Sequence, residues 1–275
     1  MPLGNLGKKV SQALSDTLKG VGDVGQSAIE VTRSNVVDGL RGVKDVVTEA
    51  SGLAGDSVSG AINAASQAGG DLGTAAKGAV IGTIRGVGEV TTVTAGVMSD
   101  TMRAAIKGTS EVGGDVAKVA RDAADGALAT TKSVGLGVED AAFSIARGAI
   151  QGGQDVGADL GSVALNTVQG AISGTQETGG DLLGAINSLA RGSIKGTAEV
   201  GGDLAAVARK TVEGAIDGSK AVALSAEDAA SAAATGAIEA AQEIGGAAVD
   251  TVTEAVSGTI SGVKVVAKAP FKKSE

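Results

Sequence analysis

The sequence predicts an all-α protein, and three observations carry the prediction. Leu or Ile recurs every 22 residues without a gap, at Leu18, Leu40, Ile62, Ile84, Ile106, Leu128, Ile150, Ile172, Ile194, Ile216, Ile238 and Ile260. Twenty-two residues over six turns is about 3.67 per turn, close to the pitch of an α-helix. The only prolines are Pro2 and Pro270, so no helix breaker stands between the two ends. Opposite charges recur four residues apart, at Lys19/Asp23, Arg41/Asp45, Arg85/Glu89, Lys107/Glu111 and Lys195/Glu199, a neighbour relation on helices and not on strands.

Taken in order, residues 1–15 form a lead-in with a partial repeat, residues 16–257 form eleven repeats, and residues 258–275 form a partial twelfth with a basic tail. Counting each unit from Asp16, the recurring Leu or Ile is position 3. On a helical wheel, positions 2, 3, 6, 9, 10, 13, 16, 17, 20 and 21 gather on one wide apolar arc, and positions 4, 7, 8, 11, 18 and 22 lie opposite. The twelve position-3 residues are the expected centre of a packing face. Ile172→Asp is expected to disrupt folding or assembly, and Gln176→Asp, at position 7, to do little.

Glycine sets the problem of the chain, which has 45 of them. Each costs roughly 0.8–1 kcal/mol relative to Ala inside a helix, so an isolated helix of this sequence is unstable in water. Glycine also lets another backbone come close, as in small-xxx-small helix contacts. The pairs Gly148/Gly152, Gly170/Gly174, Gly192/Gly196 and Gly214/Gly218 have that spacing and are candidate close-contact positions. The favoured architecture is a set of long amphipathic Gly/Ala/Val-rich helices, extended or folded back as a bundle. The alternative is a stack of short helices, in which the Gly-Gly-Asp runs at 69–71, 113–115, 179–181 and 201–203 are turns and Asp71, Asp115, Asp181 and Asp203 are N-caps.

Composition excludes much chemistry. With no Cys and no His, the chain cannot build thiolate or imidazole metal sites, nor Cys–His or Ser–His nucleophile pairs. No catalytic residue, cofactor, metal or small-molecule substrate is expected, and the chain reads as a non-enzyme. A net charge of −8 and 1 % aromatic content argue against nucleic acid, which needs clustered cations and stacking surfaces. No signal-like apolar run or membrane-spanning stretch is seen, so a cytoplasmic location is the expectation. Gly20-Val-Gly22-Asp-Val-Gly25 matches a dinucleotide-binding pattern, but its glycines fall in the register of every other unit. The acid pairs Glu139/Asp140 and Glu227/Asp228 read as solvated helix faces. Thr109, Thr131, Thr175 and Thr197, all at position 6, read as small residues lining a contact. Lys8-Lys9 and Lys272-Lys273 read as solubilising ends.

The 11/22-residue rhythm and the segment Lys210-Thr-Val-Glu-Gly214 resemble the synuclein, perilipin and apolipoprotein group of amphipathic repeat proteins. The resemblance implies a helix that lies on a lipid surface. Two functions are therefore expected from the sequence. One is a structural protein whose helices pack through the small-residue face against each other or against other copies of the chain, giving a bundle, rod, shell or filament, with the chain itself as partner. The alternative is a coat on a membrane or lipid droplet.

Overall fold

The structure, a computed structural model, describes residues 4–18, 23–41 and 46–267. Twelve helices are found among them: α1 (Asn5–Leu18), α2 (Val24–Arg41), α3 (Val46–Gln67), α4 (Leu72–Val90), α5 (Ala95–Glu111), α6 (Val116–Val134), α7 (Val138–Asp155), α8 (Leu160–Thr178), α9 (Leu182–Glu199), α10 (Leu204–Ser219), α11 (Ala226–Ile244) and α12 (Gly246–Val256). A short hairpin, β1 (Gly258–Ile260) and β2 (Val263–Val265), follows. The fold is all-α, with one short helix per 22-residue unit. The longer helices expected from the sequence are broken at each unit, as the alternative architecture required.

The break is a turn whose parts repeat. Gly69, Gly113, Gly135, Gly157, Gly179 and Gly201, all at position 10, have φ between 67° and 72°, the left-handed conformation that ends helices. In the turn after α7, the Gly157 N–H donates to the Gln154 carbonyl and the Ala158 N–H to the Gly153 carbonyl, the two bonds of a Schellman motif. The next residue but one caps the following helix: Asp71, Asp115, Asp159, Asp181 and Asp203 each accept a backbone N–H in the first turn. Position 10 therefore belongs to the turn and not to the packing arc where the wheel placed it. Continuing the helix would keep the glycine penalty and leave consecutive apolar faces apart. The turn satisfies the helix-end groups and folds one face onto the next.

Consecutive helices run antiparallel, and from α1 through α9 each packs most extensively on the helices two away in the chain, whereas α12 packs equally on α10 and α11. Two layers result, α1-α3-α5-α7-α9-α11 and α2-α4-α6-α8-α10-α12, so the structural unit is a helix pair of 44 residues. The core lies between the layers and is built from positions 2, 3, 6, 16, 17, 20 and 21, as in Ala149, Ile150, Val163, Ala164 and Val168. Val156 and Leu160, at positions 9 and 13, are half-buried at the turn.

Both ends depart from the repeat. At the C-terminal end, Ile260 is buried in strand β1 and not in a helix, which corrects its expected place on a helical face. Ser261 and Gly262 both have positive φ and form a two-residue hairpin turn between the paired residues Ile260 and Val263. The β-branched residues around them suit strands, and β2 packs on α11 where a further helix would continue that layer. At the N-terminal end the register changes. Gly148 packs on Ser99, 49 residues earlier, and this separation recurs at Gly126 on Lys77, Gly170 on Arg121, Gly192 on Phe143, Gly214 on Leu165 and Gly236 on Asn187. Gly60 instead packs on Gly7 and Gly82 on Ile29, 53 residues earlier. The pair α1/α2 thus sits one helical turn out of step with the rest.

Candidate functional site

The residues that the fold brings together are glycines, and what they meet is the next helix of the same layer. A Cβ added at Gly148, Gly170 or Gly192 would collide with the backbone carbonyl of Ser99, Arg121 or Phe143, and one at Gly214 would lie 2.6 Å from the Leu165 carbonyl oxygen. One turn on, Gly152 faces Arg103, Gly174 faces Asp125, Gly196 faces Arg147 and Gly218 faces Gln169 and Ile172. All eight candidate close-contact glycines are buried, each against the helix two before its own. Of the position-3 residues, Leu40, Ile62, Ile84, Ile106, Leu128, Ile150, Ile172, Ile194 and Ile216 have no exposed surface, and Ile238 is half-buried. The Leu18 side chain lies outside the described residues.

Beside this seam runs a ladder of ion pairs. Arg103 binds Asp155 at 2.6 Å, Arg147 binds Glu199 at 2.8 Å and Arg191 binds Glu243 at 3.1 Å. The cations stand 44 residues apart and so do the acids, so each rung ties α5 to α7, α7 to α9 or α9 to α11. Lys107 reaches Asp155 at 3.5 Å, and Lys195 also pairs with Glu243. Four of the charges read from the sequence as partners within one helix bind neighbouring helices: Glu89 takes Arg33, Glu199 takes Arg147, Lys107 takes Asp155 and Lys195 takes Glu243. Lys19 and Asp45 lie outside the described residues. The 44-residue recurrence of Arg103, Arg147 and Arg191 was the sequence signal for this ladder.

The electrostatics follow from these contacts. Asp155 is held below its ordinary value by the Arg103 guanidinium, and Glu243 by Lys195 and then Arg191. Asp71, which accepts from Lys118 and from the Thr74 amide it caps, is lowered to about 2. Asp159 is lowered by the Ser162 amide. Burial pushes Asp122 up. Asp71, Asp155 and Glu243 are acids in ion pairs and Asp159 is a helix cap, whereas Asp122 is a half-buried carboxylate on α6.

The remaining candidates are placed as plainly. Thr109, Thr175 and Thr197 are buried and donate to the carbonyls of Ala105, Ala171 and Ser193, one turn back, while Thr131 donates to Leu128. Gly20 and Gly22 of the dinucleotide-like pattern lie outside the described residues, and Gly25 belongs to α2. Glu139, Asp140, Glu227, Asp228, Lys8 and Lys9 are exposed; Lys272 and Lys273 lie outside the described residues. Among the described residues, no group of three or more acidic side chains is placed to hold a metal ion, and no helix is long and apolar enough to cross a membrane. Two open grooves mix small and charged side chains, one between α10, α12 and β1 with Arg209 and Glu254, and one between α3 and α5 with Asp56, Asp100, Arg103 and Lys107. No model of a known protein family matches the chain, and no curated protein matches it.

Proposed function

We propose that the chain is a non-enzymatic structural repeat protein, a two-layer slab of fixed length. The observation that carries this reading is where the small-residue face goes. Its glycines and its Leu and Ile row meet other helices of the same molecule, which supports packing of the small-residue face within one chain. Helices of 19 residues make the slab roughly 28 Å wide. Six helices a layer at about 8–10 Å spacing make it roughly 50 Å long. Large apolar side chains are scarce outside, with Leu183, Ile244 and Val266 the exposed ones among the described residues.

The first helices support a closed end. Where Gly148 and Gly152 let α7 sit against α5, the structurally equivalent sites of α1 and α2 hold Gln12, Asp16, Ser34 and Asp38, all exposed. At the equivalent glycines even a Cβ would meet the neighbouring backbone, so any side chain at these four sites keeps a further helix at a distance, as capping units of repeat proteins do. Light scattering coupled to gel filtration from micromolar to millimolar concentration tests the reading. The expected mass is that of one chain, 26.2 kDa. Open-ended growth with concentration would overturn it. Circular dichroism with and without neutral and anionic vesicles tests the lipid-coat reading, in which the layers separate to lay their inner faces on lipid. Full helicity without lipid is expected, and helicity that appears only with vesicles would replace the slab by the coat.

A further inference from the structure

We infer that α1 and α2 form a sliding module with two packing registers one helical turn apart. In the observed register, Gly78, Gly82 and Gly86 of α4 pack on Gly25, Ile29 and Arg33 of α2. These three glycines are spaced by four, so α2 moved one turn still meets glycine at each step. The buried rungs of the sliding helices are spaced by four as well: Leu6, Val10 and Leu14 on α1, and Ala28, Thr32, Val36 and Leu40 on α2. After a slip of one turn, each rung takes the place of its neighbour. The uninterrupted 22-residue period that includes Leu18 and Leu40 is in step with the second register, the one with a separation of 49 that the later helices use.

Two features hold the observed register. Position 10 of the second unit is Val47, where most units have the turn glycine, and position 12 is Glu49, where Asp caps most of the later helices. The helix break accordingly does not fall at 46–49. Helix α3 starts at Val46 and runs for 22 residues, about one turn longer than the 16–19 of α4 through α11. The second feature is Arg33, which binds Glu89 at 2.8 Å across the slipped seam. In the other register residue 37 would face Glu89, and it is Val37. Sliding of one element past another by a turn is an established kind of two-state change, because packed interfaces favour discrete positions over intermediate ones.

The chain has no cysteine, so two introduced ones can carry spin labels without background. Labels at Gln26→Cys and Thr92→Cys, both at exposed sites, report the position of α2 along α4 by pulsed electron resonance. In this labelled background, Val47→Gly with Glu49→Asp and Glu89→Gln restores the turn signal and opens the latch. The expected distance is about 6 Å longer, four residues of helix rise. Glu89→Gln alone, which leaves the helix pattern intact, is expected to show both distances. The longer distance in either variant supports two registers. The original single distance in both, in protein as helical as the parent, overturns them.

Discussion

Gly52 and Gly170 both lie inside helices, yet a methyl group at each is expected to act in opposite directions. Nothing lies within 4 Å of a Cβ built on Gly52, so Gly52→Ala removes only the flexibility of glycine and should stabilise by about 0.5–1 kcal/mol. At Gly170 the added carbon meets the Arg121 carbonyl, and Gly170→Ala should destabilise by about 1–3 kcal/mol or more as α8 is forced from α6. Urea unfolding of the two variants checks both signs. The sequence marked Gly170 by its four-residue spacing to Gly174. It could not say which glycines of helix interiors face open space, because that depends on what stands two helices away.

At the scale of one element, the turn between helices is the part most legible in sequence, since Gly at position 10 and Asp at position 12 each have a local mechanism. Ala223 holds the same left-handed place as the turn glycines, at φ 53°. Ala223→Gly should therefore stabilise by about 1 kcal/mol, and Gly157→Ala should cost a similar amount. A thermal melt of each variant measures this. Carboxylates held by cations, and by the amides they cap, set the acid response. Asp71 falls from its ordinary 3.8 to about 2 in the fold, so its stabilisation is present above pH 4 and is lost as pH drops toward 2. Asp155, Asp159 and Glu243 are lowered too and act in the same direction; Asp122, raised by burial, opposes them. Denaturation midpoints should be flat from pH 5 to 8, where no His titrates, and should fall below pH 4, less steeply in Asp71→Asn. A midpoint that fell by the same amount in Asp71→Asn would assign the acid loss to other carboxylates.

For the whole molecule, the unit of packing is 44 residues and not 22, and deletions can tell them apart. Removing residues 104–147 takes out one helix pair and leaves every remaining helix in its own layer, so a cooperative and somewhat less stable slab is expected. Removing residues 104–125 sets α4 beside α7, helices from opposite layers, and should lower the melting temperature further; equal melting temperatures would show that the layers are interchangeable. The sequence by itself determined the helical class and the buried row from Leu40 to Ile216, because these follow from local pitch and from where apolar side chains recur. It held two architectures open, since a glycine serves equally as a close-contact site and as a helix end. Only tertiary packing separated those roles, placing Gly148 and Gly170 against a carbonyl and Gly157 and Gly179 in left-handed turns. Packing alone also decided that Glu89 and Glu199 pair across helices, that Ile260 enters a strand, and that α1 and α2 sit one turn out of step under an unbroken sequence period. The physical reason is that each of these depends on a neighbour some 50 residues away, and pitch carries no record of that distance.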